Sequence, residues 1–118
     1  MYYYGNRQNN RINIHARLRM KCSILKNDLY KLHIIDSPSC MCGNSPETAE
    51  HYFFHCQLYT NQREILLHTI EDFLEIPKAN ISLDMLLNGH AKWSVDENEV
   101  LFLLVYDFFR TTHRFDNI

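Results

Sequence analysis

CMCGNSPETAEHYFFHC, residues 40–56, is the stretch on which the fold turns. It reads Cys40-x-Cys42, then His51 after eight intervening residues, then Cys56 after four more. Zinc takes four soft or borderline ligands in a tetrahedron, and three thiolates with one imidazole are a usual structural set. The one-residue gap between Cys40 and Cys42 is shorter than common zinc spacings, yet two thiolates of one tight loop can reach the same ion. Four protein ligands leave no open coordination position. The spacing therefore predicts a structural rather than catalytic Zn2+ on Cys40, Cys42, His51 and Cys56. A structural zinc is worth about 10–16 kcal/mol in small peptides, so its loss is expected to unfold residues 36–60. His55 follows His51 by four positions and shares its helical face, either as a rival ligand or as a neighbour. A Cys40–Cys42 disulfide would close a strained ring. Cys22 stands apart as a core thiol, and His33, His68, His90 and His113 show no metal spacing.

Working outward, Gly43 is free to take positive φ in the Cys-x-Cys loop. Ser45 as cap, Pro46 as first helical residue and Glu47 near the positive dipole end predict a helix from 46 to about 56. Upstream, Asp36-Ser37-Pro38-Ser39 breaks regular structure. Before it, Ile14, Leu18, Leu25, Leu29 and Leu32 trace one stripe, which predicts a helix over 13–33. Downstream, Tyr59, Leu66, Ile70, Phe73 and Leu74 predict a helix over 58–75, with Pro77 beyond its end. Leu83, Leu86 and Leu87 form a short helix that Gly89 can close. Ser94-Val95-Asp96-Glu97 reads as a capping box opening a last helix over 95–113. No strand pattern and no internal repeat is present. The fold class is all-α: a small helical zinc-stapled domain with the Cys-x-Cys loop packed on helices. Residues 1–12 read as a disordered arm and 13–118 as one domain, with the zinc module at about 36–63.

The totals agree. The chain has 118 residues, 46% hydrophobic and 22% charged, with only three glycines and three prolines. That suits one domain with a modest core, for which a metal staple is useful. The net charge is −2, but it is unevenly spread. Residues 1–33 hold seven basic groups against one acid, and the rest holds five against thirteen. Such asymmetry marks either a nucleic-acid-facing edge or a solvated helix face balanced by acidic neighbours. The candidate phosphate contacts are Arg17, Arg19, Lys21, Lys26 and Lys31. Tyr2, Tyr3 and Tyr4, beside Arg7 and Arg11, can stack on unpaired bases. The last helix, with Val100 to Val105, Phe108 and Phe109, is apolar nearly all round. One face of it is expected to dock on another domain or on a second copy. No secretory signal and no run of about 18 apolar residues is visible, so an intracellular protein of cytoplasm or nucleus, without a membrane partner, is expected. Neither paired carboxylates, nor a phosphate-cradling glycine loop, nor a Ser/His/Asp set is legible.

At these residues the chain resembles the zinc-binding (CCHC-type) segment near the C-terminus of non-LTR (LINE-type) retrotransposon reverse transcriptases. The resemblance runs from Arg17-Leu18-Arg19-Met20 through Leu29 to Gly43, Glu47-Thr48-Ala49-Glu50-His51, Cys56, Tyr59 and Arg63. It closes on Phe109-Arg110-Thr111-Thr112-His113-Arg114-Phe115, similar to the family's ending, and is strongest over Cys40 to Arg63. Many relatives carry a glycine-histidine pair where this chain reads Lys21-Cys22-Ser23. The resemblance implies zinc on Cys40, Cys42, His51 and Cys56, with His55 at a variable position. It also implies RNA or DNA as partner, and docking to a polymerase domain. The polymerase domain and its catalytic aspartates are not in this sequence, so no polymerase activity of its own is expected. The chain looks like a detached tail of such a protein.

Overall fold

The computed structural model describes the backbone of residues 2–116 and the side chains of residues 10–116. Among the described residues every regular element is helical, and the only extended pairing is one bridge between Ser39 and Pro46. The all-α expectation holds.

Helix α1 spans Tyr2–Arg19, so it runs through most of the stretch expected to be a disordered arm. Ile14, His15 and Leu18 are buried and anchor its C-terminal half. Once that half is fixed, each further residue adds a hydrogen bond without a new nucleation cost, and no proline stops the helix. The single helix expected over 13–33 is instead two. Lys21 takes φ 58°, the Lys21 N–H bonds the Leu18 carbonyl and the Cys22 N–H bonds the Arg17 carbonyl. This is a Schellman closure with lysine in the left-handed position. Helix α2, Lys26–Lys31, follows a short loop. The Asp28 carboxylate on α2 accepts from both the N–H and the hydroxyl of Ser23 in that loop. Across this break the expected stripe keeps Ile14, Leu18 and Leu25 in the core, while Leu29 is only partly buried and Leu32 is exposed.

The helix expected over 46–56 is shorter. Pro46 pairs with Ser39, and the helical winding begins at Ala49 and widens into a π-turn, His51–His55. Thr48, not Ser45, caps it: its hydroxyl accepts from the His51 N–H at 3.0 Å. After a 3-10 turn, Gln57–Tyr59, come α3, Thr60–Leu74, and α4, Leu83–Asn88. Gly89 closes α4 at φ 77°, as its position suggested. Helix α5, Val95–Thr112, opens with the Ser94–Glu97 capping box, both reciprocal bonds present.

α5 is the central element. α3 packs along it, and α1 and α4 pack against it and against each other. Leu101, Val105, Phe108 and Phe109 point inward from α5. The π-turn inserts Tyr52 and Phe53 into this core with no exposed surface. Tyr52 meets the rings of Tyr59, Phe108 and Phe115 at 5.1–5.4 Å, and its hydroxyl shares a 2.7 Å hydrogen bond with Thr112. Tyr52 and Phe53 follow His51 directly and Cys56 ends the same turn, so the core and the Cys/His cluster share one piece of backbone. Among the described residues no helix is long and apolar enough to cross a membrane.

Candidate metal centre

Four residues meet at the π-turn. The sulfurs of Cys40, Cys42 and Cys56 and one ring nitrogen of His51 all lie within 4.8 Å of one another. The Cys40 and Cys56 sulfurs are 3.6 Å apart, and Cys42 Sγ is 3.3 Å from His51 Nε2. Ligands at about 2.0–2.3 Å on a tetrahedral ion stand roughly 3.5–3.8 Å from one another. The two short pairs lie near these separations, the whole set spreads to 4.8 Å, and its donors are those of a Cys3His site that could hold one metal ion.

Each ligand is placed by a local device. The Gly43 N–H bonds the Cys40 carbonyl and the Cys40 N–H bonds the Ser45 carbonyl, which folds Cys40 and Cys42 into one tight loop. Gly43 supplies the positive φ, 82°, that this turn needs. The π-turn decides between the histidines. The Cys56 N–H reaches back to the His51 carbonyl at 2.7 Å, an i to i+5 closure. That closure brings Cys56 under His51 and leaves His55 outside, exposed and 3.3 Å from Glu50. His55 is a neighbour of the cluster and not a member.

A second layer holds the ligands. Ser45 Oγ is 2.9 Å from His51 Nδ1. With Nδ1–H donating to that hydroxyl, Nε2 keeps its lone pair for the metal, the usual way a ligating histidine has its tautomer fixed. Arg63 is buried under the turn. Its guanidinium donates to the carbonyls of Phe53 at 2.8 Å and Cys56 at 2.6 Å, with a longer contact to Tyr52. The Cys56 carbonyl also accepts from the Tyr59 N–H at 3.3 Å. Glu47 is buried too. It accepts from the Lys26 N–H at 2.8 Å and from Arg114 at 2.6 and 2.7 Å, while Arg114 also donates to the Ile24 carbonyl. Sequence reasoning placed Ser45 and Glu47 at a helix start. Their roles instead depend on which way the loop folds back, which spacing does not encode.

The electrostatics favour a cation. Burial pushes the Cys56 thiol up to about 12. A hydrogen bond from the Asn44 backbone holds Cys42 below its ordinary value. Burial, then the nearby His55, lowers His51, so its imidazole is the neutral, ligating form near pH 7. A metal ion bound here would hold Cys56 as thiolate despite its burial.

The candidate phosphate contacts are dispersed. Arg17, Lys21 and Lys31 are exposed and Lys26 is half-buried. Arg19 differs from the rest, because its guanidinium donates to His15 Nδ1 and to the Leu87 carbonyl, both at 2.9 Å. It fastens α1 to α4. The side chains of Tyr2, Tyr3, Tyr4 and Arg7 lie outside the described residues. Arg11 lies within them and is half-buried. No family model, no curated protein and no solved structure matches the chain.

Proposed function

We propose that the protein is a structural zinc module of the kind found at the C-terminus of LINE-type reverse transcriptases, and that it contributes RNA or DNA binding without polymerase activity of its own. One observation supports the zinc reading: a Cys3His set with its four donor atoms within 4.8 Å of one another, wrapped around the backbone that delivers Tyr52 and Phe53 to the core. A closed set offers no position for substrate, so the ion's work is to hold the fold. Metal analysis of the purified protein tests this. One zinc per chain is expected, and none in Cys42→Ser or His51→Ala. A folded parent without zinc overturns it.

The nucleic-acid reading rests on the basic excess of residues 1–33 and on the resemblance. Anisotropy with labelled oligonucleotides at rising salt tests it, and affinity that ignores salt counts against it.

A second reading, a protein-interaction module, has its own observation. Val95 is 81% exposed and Leu103 50% exposed on α5, with Ile12 of α1 beside them across an apolar cleft. That face suits docking to a polymerase domain or self-association. Light scattering that finds a monomer at high concentration removes the self-association form.

A further inference from the structure

Two cavities beside α1 adjoin one another, since Asn10, Ile14 and Phe115 wall both. The larger, about 400 Å³, continues past Arg11 to Arg110 and His113 on the C-terminal turn. The smaller, about 180 Å³, continues past Asn13 and Arg17 to Ser23. Together they make one groove along α1.

The floor is apolar and fixed. Ile14 and Phe115 are buried, and the Arg114–Glu47 pair holds the chain next to Phe115 in place. The wall from α1 is polar. Asn10, Asn13 and Arg17 recur at steps of three and four, which puts them on one helix face. The charge is one-sided. Among the described lining residues Arg11, Arg17 and Arg110 stand against one carboxylate, Asp116, which is hydrogen-bonded to His113 at 2.6 Å. Arg110 is tethered to Asp107 at 2.7 Å. Arg11 and Arg17 form no ion pair among the described residues.

Two guanidiniums with no ion pair among the described residues, two amides and an apolar floor suit a ligand that joins phosphates to flat bodies with hydrogen-bonding edges. A volume of about 400 Å³ is that of a small-ligand site and admits no duplex. We infer that this groove binds a single polynucleotide strand, with phosphates on Arg11 and Arg17 and a base over Ile14 and Phe115, its edge towards Asn10 and Asn13. This rests on the nucleic-acid reading above and narrows it. It keeps Arg17, leaves out Lys26 and Lys31 of α2, and places the contact in a cleft between α1 and the C-terminal turn.

The test uses the full chain, zinc-loaded, with labelled single-stranded RNA, single-stranded DNA of the same sequence, and duplex DNA. Arg11→Ala/Arg17→Ala is compared with Lys26→Ala/Lys31→Ala, and circular dichroism checks that both stay folded. Single strands are expected to bind better than duplex. The arginine pair is expected to lose tenfold or more, with a salt slope shallower by about 1.4, or roughly 0.7 per phosphate contact. The lysine pair is expected to lose less than threefold. RNA bound better than DNA places the 2′-hydroxyl in the groove, and equal binding leaves recognition to phosphate and base; either outcome supports the inference. Binding that survives the arginine pair, falls equally with the lysine pair, or prefers duplex overturns the groove and leaves the broader reading standing. No binding by the parent chain overturns both.

Discussion

Arg63 is 7% exposed and has three carbonyls, but no carboxylate, for partners. A buried cation normally needs an opposite charge. Three thiolates around a divalent ion carry one net negative charge, and Cys56, one of those thiolates, presents its carbonyl to Arg63. The loaded centre therefore supplies the counter-charge. Replacing Arg63 by methionine keeps the volume and removes the charge, leaving turn carbonyls buried and unpaired. A loss of about 2–4 kcal/mol in unfolding free energy is expected, on the scale of a broken buried charge network. Urea denaturation of Arg63→Met at pH 7.5 measures it, and a loss no larger than that of a surface substitution would show that the guanidinium does not hold the turn. Ser45 acts on affinity instead. Without its hydroxyl the His51 ring is free to turn and change tautomer, so Ser45→Ala should weaken metal binding about tenfold at unchanged stoichiometry. Competition with a chromophoric chelator reads this directly. That Cys40, Cys42, His51 and Cys56 come together was legible, because a metal-binding set fixes both the residue types and their count. The supports were less so. Ser45 precedes His51 by six positions and Arg63 follows Cys56 by seven, intervals that signal nothing until the loop has folded back.

Helix starts and stops were unequally readable, and the reason lies in which residues carry them. The starts of α4 and α5 use side chains with a fixed geometry: Ser82 accepts from the Met85 N–H, and Ser94 pairs reciprocally with Glu97. Such caps appear in sequence as Ser at a known offset. The stops mostly lack glycine. Lys21, His33, Glu75 and His113 all take φ of 56–61° next to helix ends, although left-handed backbone disfavours such residues. His33 repeats the closure at Lys21, with the His33 and Ile34 N–H groups on the Tyr30 and Leu29 carbonyls. With three glycines in 118 residues, the chain ends its helices by tertiary constraint, which sequence patterns do not show. Lys21 falls where many relatives of the resembled family carry glycine-histidine. The one stop that does use glycine is the most demanding. A Cβ on Gly89 would sit 2.6 Å from Asn98 Oδ1, and that amide bridges the His90 N–H and carbonyl. Gly89→Ala should therefore combine a strained φ with a displaced Asn98 and destabilise by roughly 1–3 kcal/mol. Asn98→Ala in the same background should recover part of the loss. Full additivity of the two substitutions in thermal melts would show that they do not clash.

Across the whole molecule, two polar knots join what the apolar core leaves loose. Glu47, 2% exposed, ties the start of α2 and the C-terminal Arg114 to the metal loop. His15 ties α1 to α4. Its ring lies edge-on to Phe102 and Tyr106, Nε2 sits 2.8 Å from the Leu86 carbonyl, and Nδ1 accepts from Arg19. That pattern requires a neutral ring with the proton on Nε2. Burial lowers its pKa from the ordinary 6.5, and the nearby Arg19 charge adds to the effect, against the Leu86 bond that raises it. The folded protein thus binds its proton less readily than the unfolded chain does. Stability follows the excess of protons on the unfolded state, so His15 contributes fully above about pH 6.5 and its contribution falls as the pH drops below that value. Acid also protonates the metal ligands and acts in the same direction. The two are separable by His15→Gln, which keeps a donor for the Leu86 carbonyl and cannot titrate. In urea melts at pH 8.0 and 5.5, the parent should lose more stability between the two values than His15→Gln, while the variant is the less stable at pH 8.0. Equal losses in both would place the whole acid sensitivity at the Cys3His cluster and leave His15 as packing alone.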